Sequence, residues 1–185
     1  MHIAVYSGTF NPLHIGHLAI LRRLAAHFDG VYLVVSPQNP FKDASSNETG
    51  EARLLAAREA VARHPELAGK VRVEDIEFGM DPPHYTIRTL RALRSREPSN
   101  DFILVIGADN LESMPRWKEY QAILREFGIA VFPRKGYHRG HLKARLMRED
   151  PAYRIDLIDA PFVNVSSTEI RYALAAGRDA SHWLM

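Results

Sequence analysis

The sequence contains no cysteine, and this absence excludes several kinds of site. Disulfides, thiolate zinc sites, iron–sulfur clusters and a cysteine nucleophile all require that residue. Long apolar runs are also missing, since none approaches the ~20 residues of a membrane span. The N-terminal residues show no signal-peptide pattern. We therefore expect a cytoplasmic protein without a membrane partner.

The chain carries little net charge. The formal charge of its 185 residues is +2 at pH 7, and the calculated pI is about 9.0. This bias suits anionic small-molecule substrates but is too weak to indicate a nucleic-acid partner. The hydrophobic fraction of 46% and the charged fraction of 25% are ordinary for a globular protein. The length predicts that residues 1–185 form a single domain.

Strand and helix patterns alternate along the chain. The predicted strands are Ile3–Tyr6, Val31–Val35, Val71–Val73, Phe102–Ile106, Ile129–Phe132 and Arg154–Leu157. The predicted helices are His17–Phe28, Gly50–His64, Thr86–Arg96, Arg116–Glu126, His141–Arg148 and Ser167–Ala176. Nearly all-apolar strands, such as residues 102–106, are typical of a parallel sheet covered on both faces. The alternation predicts a doubly wound α/β fold with a mostly parallel sheet, which binds ligands at the carboxyl ends of its strands.

The stretch GTFNPLHIGH, residues 8–17, lies directly after the first predicted strand. Gly8 and Gly16 allow the backbone to turn and to approach a bound group closely. His14 and His17 lie at the start of the following helix, whose free N–H groups and dipole favour an anion. Each imidazole can donate hydrogen bonds and carry positive charge near neutral pH. The stretch therefore predicts a phosphate site.

Two other interpretations of these histidines remain. They could be ordinary surface or helix-capping residues, as a lone histidine at a helix start often is. They could also hold a metal ion, although no carboxylate or third histidine lies nearby in the sequence to complete such a site.

A second candidate anion site is VSSTEIR, residues 165–171. Ser166 and Glu169 have the spacing of a capping box, which predicts a helix start at this point. The same turn offers N–H groups and hydroxyls to an anion. Arg171 lies one turn inside the helix, where its guanidinium can bind a phosphate with paired donors.

Together these stretches carry a family resemblance. Residues 8–17 resemble the signature G-T-F-x-P-x-H-x-G-H of the nucleotidyltransferase superfamily, and residues 165–171 resemble the I-S-S-T-x-I-R element of bacterial adenylyltransferases. From Ile3 to about Gly177 the chain resembles the nicotinate mononucleotide adenylyltransferases. This resemblance implies a Rossmann-like nucleotidyltransferase fold. It also implies transfer of AMP from ATP to nicotinate mononucleotide, which gives deamido-NAD and pyrophosphate in NAD biosynthesis.

The resemblance also implies roles for individual residues. The expected catalytic residues are His17, which faces the charge growing at the α-phosphate, His14, which orients the phosphates, and Arg171, which holds the leaving pyrophosphate. Mg²⁺ accompanies ATP and is held by phosphate and water, with no metal ligands from the protein. The expected ATP-binding residues are Gly8, Thr9, Phe10, His14, His17, Gly107, Asp109, Arg134, Ser167, Thr168 and Arg171.

Three further stretches resemble acceptor-site elements of the family: PQNPFK at 37–42, HYTIRTL at 84–90, and GAD at 107–109 with PRW at 115–117. Thr86 is also a candidate N-cap, and Asp109 suits either a ribose hydroxyl or an N-cap. Trp117 is predicted to open a helix and to stack on the pyridine ring. The expected nicotinate mononucleotide-binding residues are Asn39, Lys42, Tyr85, Thr86 and Trp117. Two departures from the family pattern are His84 for serine and Lys135 for proline.

Several alternatives stay open at this point. The acceptor could be nicotinamide mononucleotide or phosphopantetheine. The protein could also be a non-catalytic nucleotide-binding module, which would bind ATP without turnover. The HIGH element at 14–17 resembles class I aminoacyl-tRNA synthetases as well, but the short chain lacks a KMSKS-like loop. The sequence leaves open whether the protein forms a homo-oligomer.

Overall fold

The computed structural model describes residues 1–37 and 49–185. Its centre is a six-stranded sheet in the order β3-β2-β1-β4-β5-β6, and all five strand pairs are parallel. The strands are β1 (His2–Gly8), β2 (Gly30–Val35), β3 (Val71–Glu74), β4 (Asp101–Gly107), β5 (Ile129–Phe132) and β6 (Ile155–Leu157). The predicted acceptor residues Asn39 and Lys42 lie outside the described residues.

Helices connect consecutive strands. They are α1 (Ile15–His27), α2 (Gly50–Ala62), α3 (Thr86–Arg96), α4 (Ala108–Ser113), α5 (Tyr120–Ala122), α6 (Arg139–Glu149) and α7 (Ser167–Ala175). Short 3₁₀ turns lie at Pro65–Leu67, Ile76–Gly79, Met114–Arg116 and Ser181–Trp183, and a π turn lies at Ile123–Phe127. Most predicted elements are therefore confirmed, with boundaries that move by at most two residues.

The sheet is covered on both faces. Successive side chains of a strand point to opposite faces. Tyr6 of β1 packs in one hydrophobic cluster with Leu21 of α1, whereas Val5 packs in a second cluster with Leu90 of α3. Two buried layers of this kind explain why the central strands are almost entirely apolar. The predicted doubly wound α/β fold is confirmed.

The strand order creates a crevice beside β1. The chain first builds outward from β1 to β2 and β3, and α3 then returns it to β4 on the other side of β1. Connections therefore leave β1 and β4 in opposite directions, which opens a space at the carboxyl ends of these two strands. Gly8 ends β1 and Gly107 ends β4, so both glycines lie at this opening.

The predicted helix Arg116–Glu126 is wrong. Trp117 has an extended backbone after the 3₁₀ turn, and Glu119 has left-handed dihedrals, with φ 51°. A left-handed residue cannot continue a right-handed helix, so helical structure restarts only at Tyr120. Arg91 of α3 donates a hydrogen bond to the Glu119 carboxylate at 3.1 Å. This tertiary contact holds the chain at the point where the local pattern indicates helix.

Candidate active site

A cavity of about 710 Å³ lies at the carboxyl ends of β1 and β4. It contains both turns that the sequence indicates as phosphate sites, together with the segments that resemble acceptor-site elements. Of the site residues predicted from the sequence, those lining it are Gly8, Thr9, Phe10, His14, His17, Tyr85, Thr86, Gly107, Asp109, Trp117, Arg134, Ser167, Thr168 and Arg171. The structure therefore brings together every predicted site residue that it describes. Exposed Lys135 does not line the cavity.

The two histidines at the start of α1 cap the helix reciprocally. The Gly16 N–H donates to Nδ1 of His14, and the His14 N–H donates to Nδ1 of His17, each at 3.1 Å. The ring planes are tilted by 31°, and the centroids are 3.7 Å apart. A Cβ on Gly16 would lie 2.9 Å from the His14 ring, so a larger residue would displace it. Since each Nδ1 accepts a hydrogen bond, the neutral tautomer carries its proton on Nε2.

The positive charge expected on His14 is not supported. His14 is 5% exposed, and burial, reinforced by the nearby Arg134 guanidinium, lowers its pKa to about 4. Desolvation and a neighbouring cation both disfavour the imidazolium form. His14 is therefore a neutral hydrogen-bond donor at physiological pH. The capping interpretation is confirmed, and it is compatible with a position in the cavity wall.

The start of α7 is held against the loop after β1. Ser166 and Glu169 form the predicted capping box, in which the Glu169 N–H donates to Ser166 Oγ at 3.2 Å. The Ser167 hydroxyl donates to the Pro12 carbonyl at 3.0 Å. Arg171 donates to the Asn11 carbonyl at 2.6 Å. The two turns predicted to bind anions, far apart in sequence, are thus fixed side by side.

At the end of β4 the backbone passes beneath an ion pair. Asp109 Oδ1 and Arg134 Nε are 3.6 Å apart, too far for a hydrogen bond. An added Cβ on Gly107 would collide with the Asp109 carboxylate, which explains the glycine. Asp109 is the second residue of α4, and Gly107 is its N-cap. The N-cap interpretation of Asp109 is therefore wrong, and its carboxylate lines the cavity.

The segments that resemble acceptor-site elements line the cavity, but their local structure differs from the prediction. Tyr85, not Thr86, occupies the N-cap position of α3, and no side chain caps this helix. The reason is that the extended backbone of Tyr85 directly precedes the first helical residue, Thr86. His84 Nε2 lies 3.0 Å from the Met80 carbonyl. Trp117, which does not open a helix, is half-buried and lines the cavity.

Two of the cavity-lining polar residues that sequence reasoning missed are Glu77 and Ser36. Glu77 is 2% exposed and accepts a hydrogen bond from the Thr89 hydroxyl at 2.7 Å, while burial raises the pKa of its carboxyl. Ser36, at the end of β2, also lines the cavity. The pattern D-I-E at 75–77 resembles solvated polar residues, so the sequence carried no signal for a buried carboxyl at this position.

No helix in residues 1–37 or 49–185 is long and apolar enough to cross a membrane. Within the same ranges, no group of three or more His, Cys, Asp and Glu side chains is placed to hold a metal ion.

Comparison with known proteins agrees with this geometry. Residues 5–173 match the model of the cytidylyltransferase-like family. Among curated proteins, a nicotinate-nucleotide adenylyltransferase of Flavobacterium psychrophilum is 39% identical over 92% of this chain and 85% of its own length. A relative of the same name from Flavobacterium johnsoniae is 36% identical over 97% of this chain and 89% of its own length. The chain belongs to the nicotinate-nucleotide adenylyltransferase family. The resemblance seen in the sequence is thereby confirmed.

Solved structures support the fold of this family member. The nicotinic acid mononucleotide adenylyltransferase of Plasmodium falciparum, complexed with NaAD, superposes with a TM-score of 0.79 at 18% identity. That comparison covers 99% of this chain and 90% of the Plasmodium chain. The same protein complexed with APC gives a TM-score of 0.77. At these identities the agreement concerns the fold, which is the Rossmann-like nucleotidyltransferase fold.

Proposed function

We propose that this protein transfers the adenylyl group of ATP to nicotinate mononucleotide, giving deamido-NAD and pyrophosphate. The observation that carries the proposal is the cavity of about 710 Å³ at the carboxyl ends of β1 and β4. It contains two helix starts suited to phosphate groups and an aromatic segment suited to a pyridine ring. The names of relatives that are 34–39% identical over nearly the whole chain support the same reaction.

The reaction requires charge stabilisation and positioning more than covalent catalysis. An oxygen of the acceptor 5′-phosphate attacks the α-phosphorus of ATP, and the bond from that phosphorus to the pyrophosphate oxygen breaks. We assign His17 to the negative charge that grows on the α-phosphate oxygens, with His14 orienting the phosphates beside it. Because their Nδ1 atoms accept backbone N–H groups, both rings are fixed before substrate binds, which is the condition for effective electrostatic stabilisation.

The leaving pyrophosphate would bind at the start of α7. The free N–H groups of that helix start, the hydroxyls of Ser167 and Thr168 and the Arg171 guanidinium lie there. Arg171 donates one hydrogen bond to the Asn11 carbonyl and another to the Thr168 hydroxyl. It therefore supports the loop after β1, and it also lines the cavity. An arginine in this position stabilises charge that separates in the transition state.

The nucleoside of ATP would lie between β1 and β4. Gly8, Thr9 and Phe10 form the turn after β1, and Gly107 lets the substrate approach the end of β4. Asp109 suits the ribose hydroxyls as an acceptor, and Arg134 suits polar groups of the nucleotide. Asp109 Oδ1 and Arg134 Nε face each other without a hydrogen bond, so the pair can exchange partners with a ligand at small cost.

The acceptor would bind along Tyr85, Thr86 and Trp117. The backbone N–H groups at the start of α3 favour the nicotinate carboxylate, and the Trp117 indole provides a face for the pyridine ring. From the family resemblance, Asn39 and Lys42 are also proposed to contact the acceptor. We propose that Mg²⁺ enters with ATP as part of the substrate, and that residues 1–185 act as one domain in the cytoplasm.

Pyrophosphate release from MgATP tests the proposal, with nicotinate mononucleotide, nicotinamide mononucleotide and phosphopantetheine compared as acceptors. We expect strong preference for the nicotinate form. Equal or reversed preference would retain adenylyl transfer but contradict the assignment of Tyr85, Thr86 and Trp117. ATP binding without release from any acceptor would favour a non-catalytic module.

A further inference from the structure

Arg53 of α2 is a buried arginine that binds two loops at once. It is 5% exposed, whereas Arg58, the other arginine of this helix, is exposed to solvent. Its Nη1 donates to the Thr9 carbonyl at 2.6 Å and to the Ser36 carbonyl at 2.8 Å. Its Nη2 donates to the Pro37 carbonyl at 2.7 Å. The guanidinium therefore joins the loop after β1 to the loop after β2.

The Thr9 carbonyl belongs to the peptide unit that precedes Phe10. Phe10 has φ 47°, a left-handed conformation that is uncommon for a bulky aromatic residue and is strained. Such a conformation persists only when surrounding contacts determine it. By fixing the orientation of the Thr9–Phe10 peptide, Arg53 supplies one of these contacts.

The Phe10 ring in turn packs against a histidine assigned to the reaction. Its centroid is 5.2 Å from the His17 ring at an angle of 85°, an edge-to-face contact. Phe10 also contacts Tyr6, with centroids 5.4 Å apart. Phe10 is 6% exposed, so its ring has little freedom to move independently of the backbone.

We propose that Arg53 is a positioning residue, which sets the place of the His17 ring through the Thr9 carbonyl and the strained Phe10. This inference rests on the proposed function, since it gives Arg53 a role in adenylyl transfer only if His17 serves that reaction. The guanidinium suits this role because its planar fork directs two nitrogens to different carbonyls at once. A lysine ammonium lacks that fixed geometry.

The test compares Arg53→Met with Arg58→Met. Methionine retains much of the apolar volume of the arginine stem and removes every donor. Arg58 lies on the same helix, but it is exposed and pairs with Asp75 at 2.8 Å, away from the cavity lining. Arg53→Lys serves as a second variant, and it carries the test if Arg53→Met does not fold. Each substitution is made both in the parent and in His17→Ala.

Two readouts are needed, both on folded protein. The first is the ¹H–¹³C signal of the His17 ring in the parent and in each single variant. The second is turnover at saturating MgATP and nicotinate mononucleotide. A misplaced catalytic group commonly costs up to about 100-fold in rate, so we expect Arg53→Met to shift the signal and lower kcat about 10- to 100-fold. Arg53→Lys should do the same to a smaller extent, and Arg58→Met should do neither.

The double variants with His17→Ala show whether Arg53 affects turnover through the His17 ring. If Arg53 acts through His17, its substitution should change turnover less than twofold once the imidazole is gone. An equal loss in both backgrounds would overturn the proposal, as would an unshifted His17 signal with turnover within twofold of the parent. If the parent shows no adenylyl transfer, the proposed function fails, while the His17 signal still decides whether Arg53 positions the ring.

Discussion

The two sides of the cavity are built by different means. The phosphate side consists of two helix starts, α1 and α7, and each is closed by a reciprocal capping box. The acceptor side consists of Ser36, Glu77, the uncapped start of α3 and the extended residue Trp117. On the first side, backbone geometry places the donors. On the second, isolated tertiary contacts, such as the hydrogen bond from the Thr89 hydroxyl to the Glu77 carboxylate, place the polar side chains.

This difference matches the two tasks proposed for the two sides of the cavity. Donors fixed by helix starts need no rearrangement as charge develops, which suits a phosphate side that serves the chemical step. Irregular segments can vary in side chain without loss of a helix or strand, which suits an acceptor side that sets substrate preference. The comparison therefore predicts large losses of turnover from changes on the phosphate side and altered acceptor binding from changes on the acceptor side.

The largest effect is expected from His17→Ala. The substitution removes the donor that we propose for the α-phosphate, and loss of one such donor typically lowers kcat about 10²–10³-fold. Loss of its cap acceptor should cost about 1 kcal/mol of stability, so the variant should remain folded. Steady-state pyrophosphate release measures the effect, and His27→Ala at the exposed end of the same helix is the control. Near-normal turnover in His17→Ala would show that His17 is not a catalytic residue.

A smaller and more selective effect is expected from Trp117→Leu. Leucine keeps an apolar side chain but loses the stacking face, which is worth about 0.5–1.5 kcal/mol beyond area burial. The KM for nicotinate mononucleotide should therefore rise about 3- to 10-fold, while the KM for ATP stays within about twofold. Trp183→Leu, outside the cavity lining, is the matched control. Equal changes in both KM values would show that the two sides of the cavity are not separable.

The smallest effect concerns stability on the phosphate side. The folded protein holds the pKa of His14 near 4, below its usual 6.5, so between these values the unfolded chain binds the extra proton. Stability therefore decreases as the pH falls through this window. In His14→Asn the amide keeps a cap acceptor without titrating. Between pH 6.5 and 5.5 the variant should lose about 1 kcal/mol less unfolding free energy than the parent.

Urea unfolding of both proteins at the two pH values provides that comparison. The difference between them isolates His14, because every other titrating group is present in both. An identical loss on acidification would mean that the His14 ring does not stay neutral when the protein is folded.

The sequence predicted the phosphate side well because local rules determine it. Ser166 and Glu169 cap the helix that their spacing indicates, and His14 lies one residue before the first turn of α1. The parallel sheet was equally predictable, since strands buried on both faces have a distinctive apolar composition.

The acceptor side was less predictable because its contacts join distant residues. Glu119 interrupts a periodic pattern that otherwise favours a helix across Trp117. Glu77 finds its partner 12 residues later in Thr89. Arg53 reaches a carbonyl 44 residues earlier, and nothing in the composition of α2 distinguishes it from a solvated arginine. Such contacts depend on how the completed sheet brings loops together.

The reciprocal capping by His14 and His17 also limits which substitutions these two positions can accept during evolution. Each ring accepts a backbone N–H at the start of α1, so a substitution that abolishes turnover also leaves a helix start without one of its acceptors. A descendant that no longer needed the reaction would still be selected to fold. Substitution of these histidines would be tolerated only where another residue, such as asparagine or serine, capped the helix instead. The motif can therefore outlast the chemistry, and two histidines alone are weak grounds for inferring an active descendant.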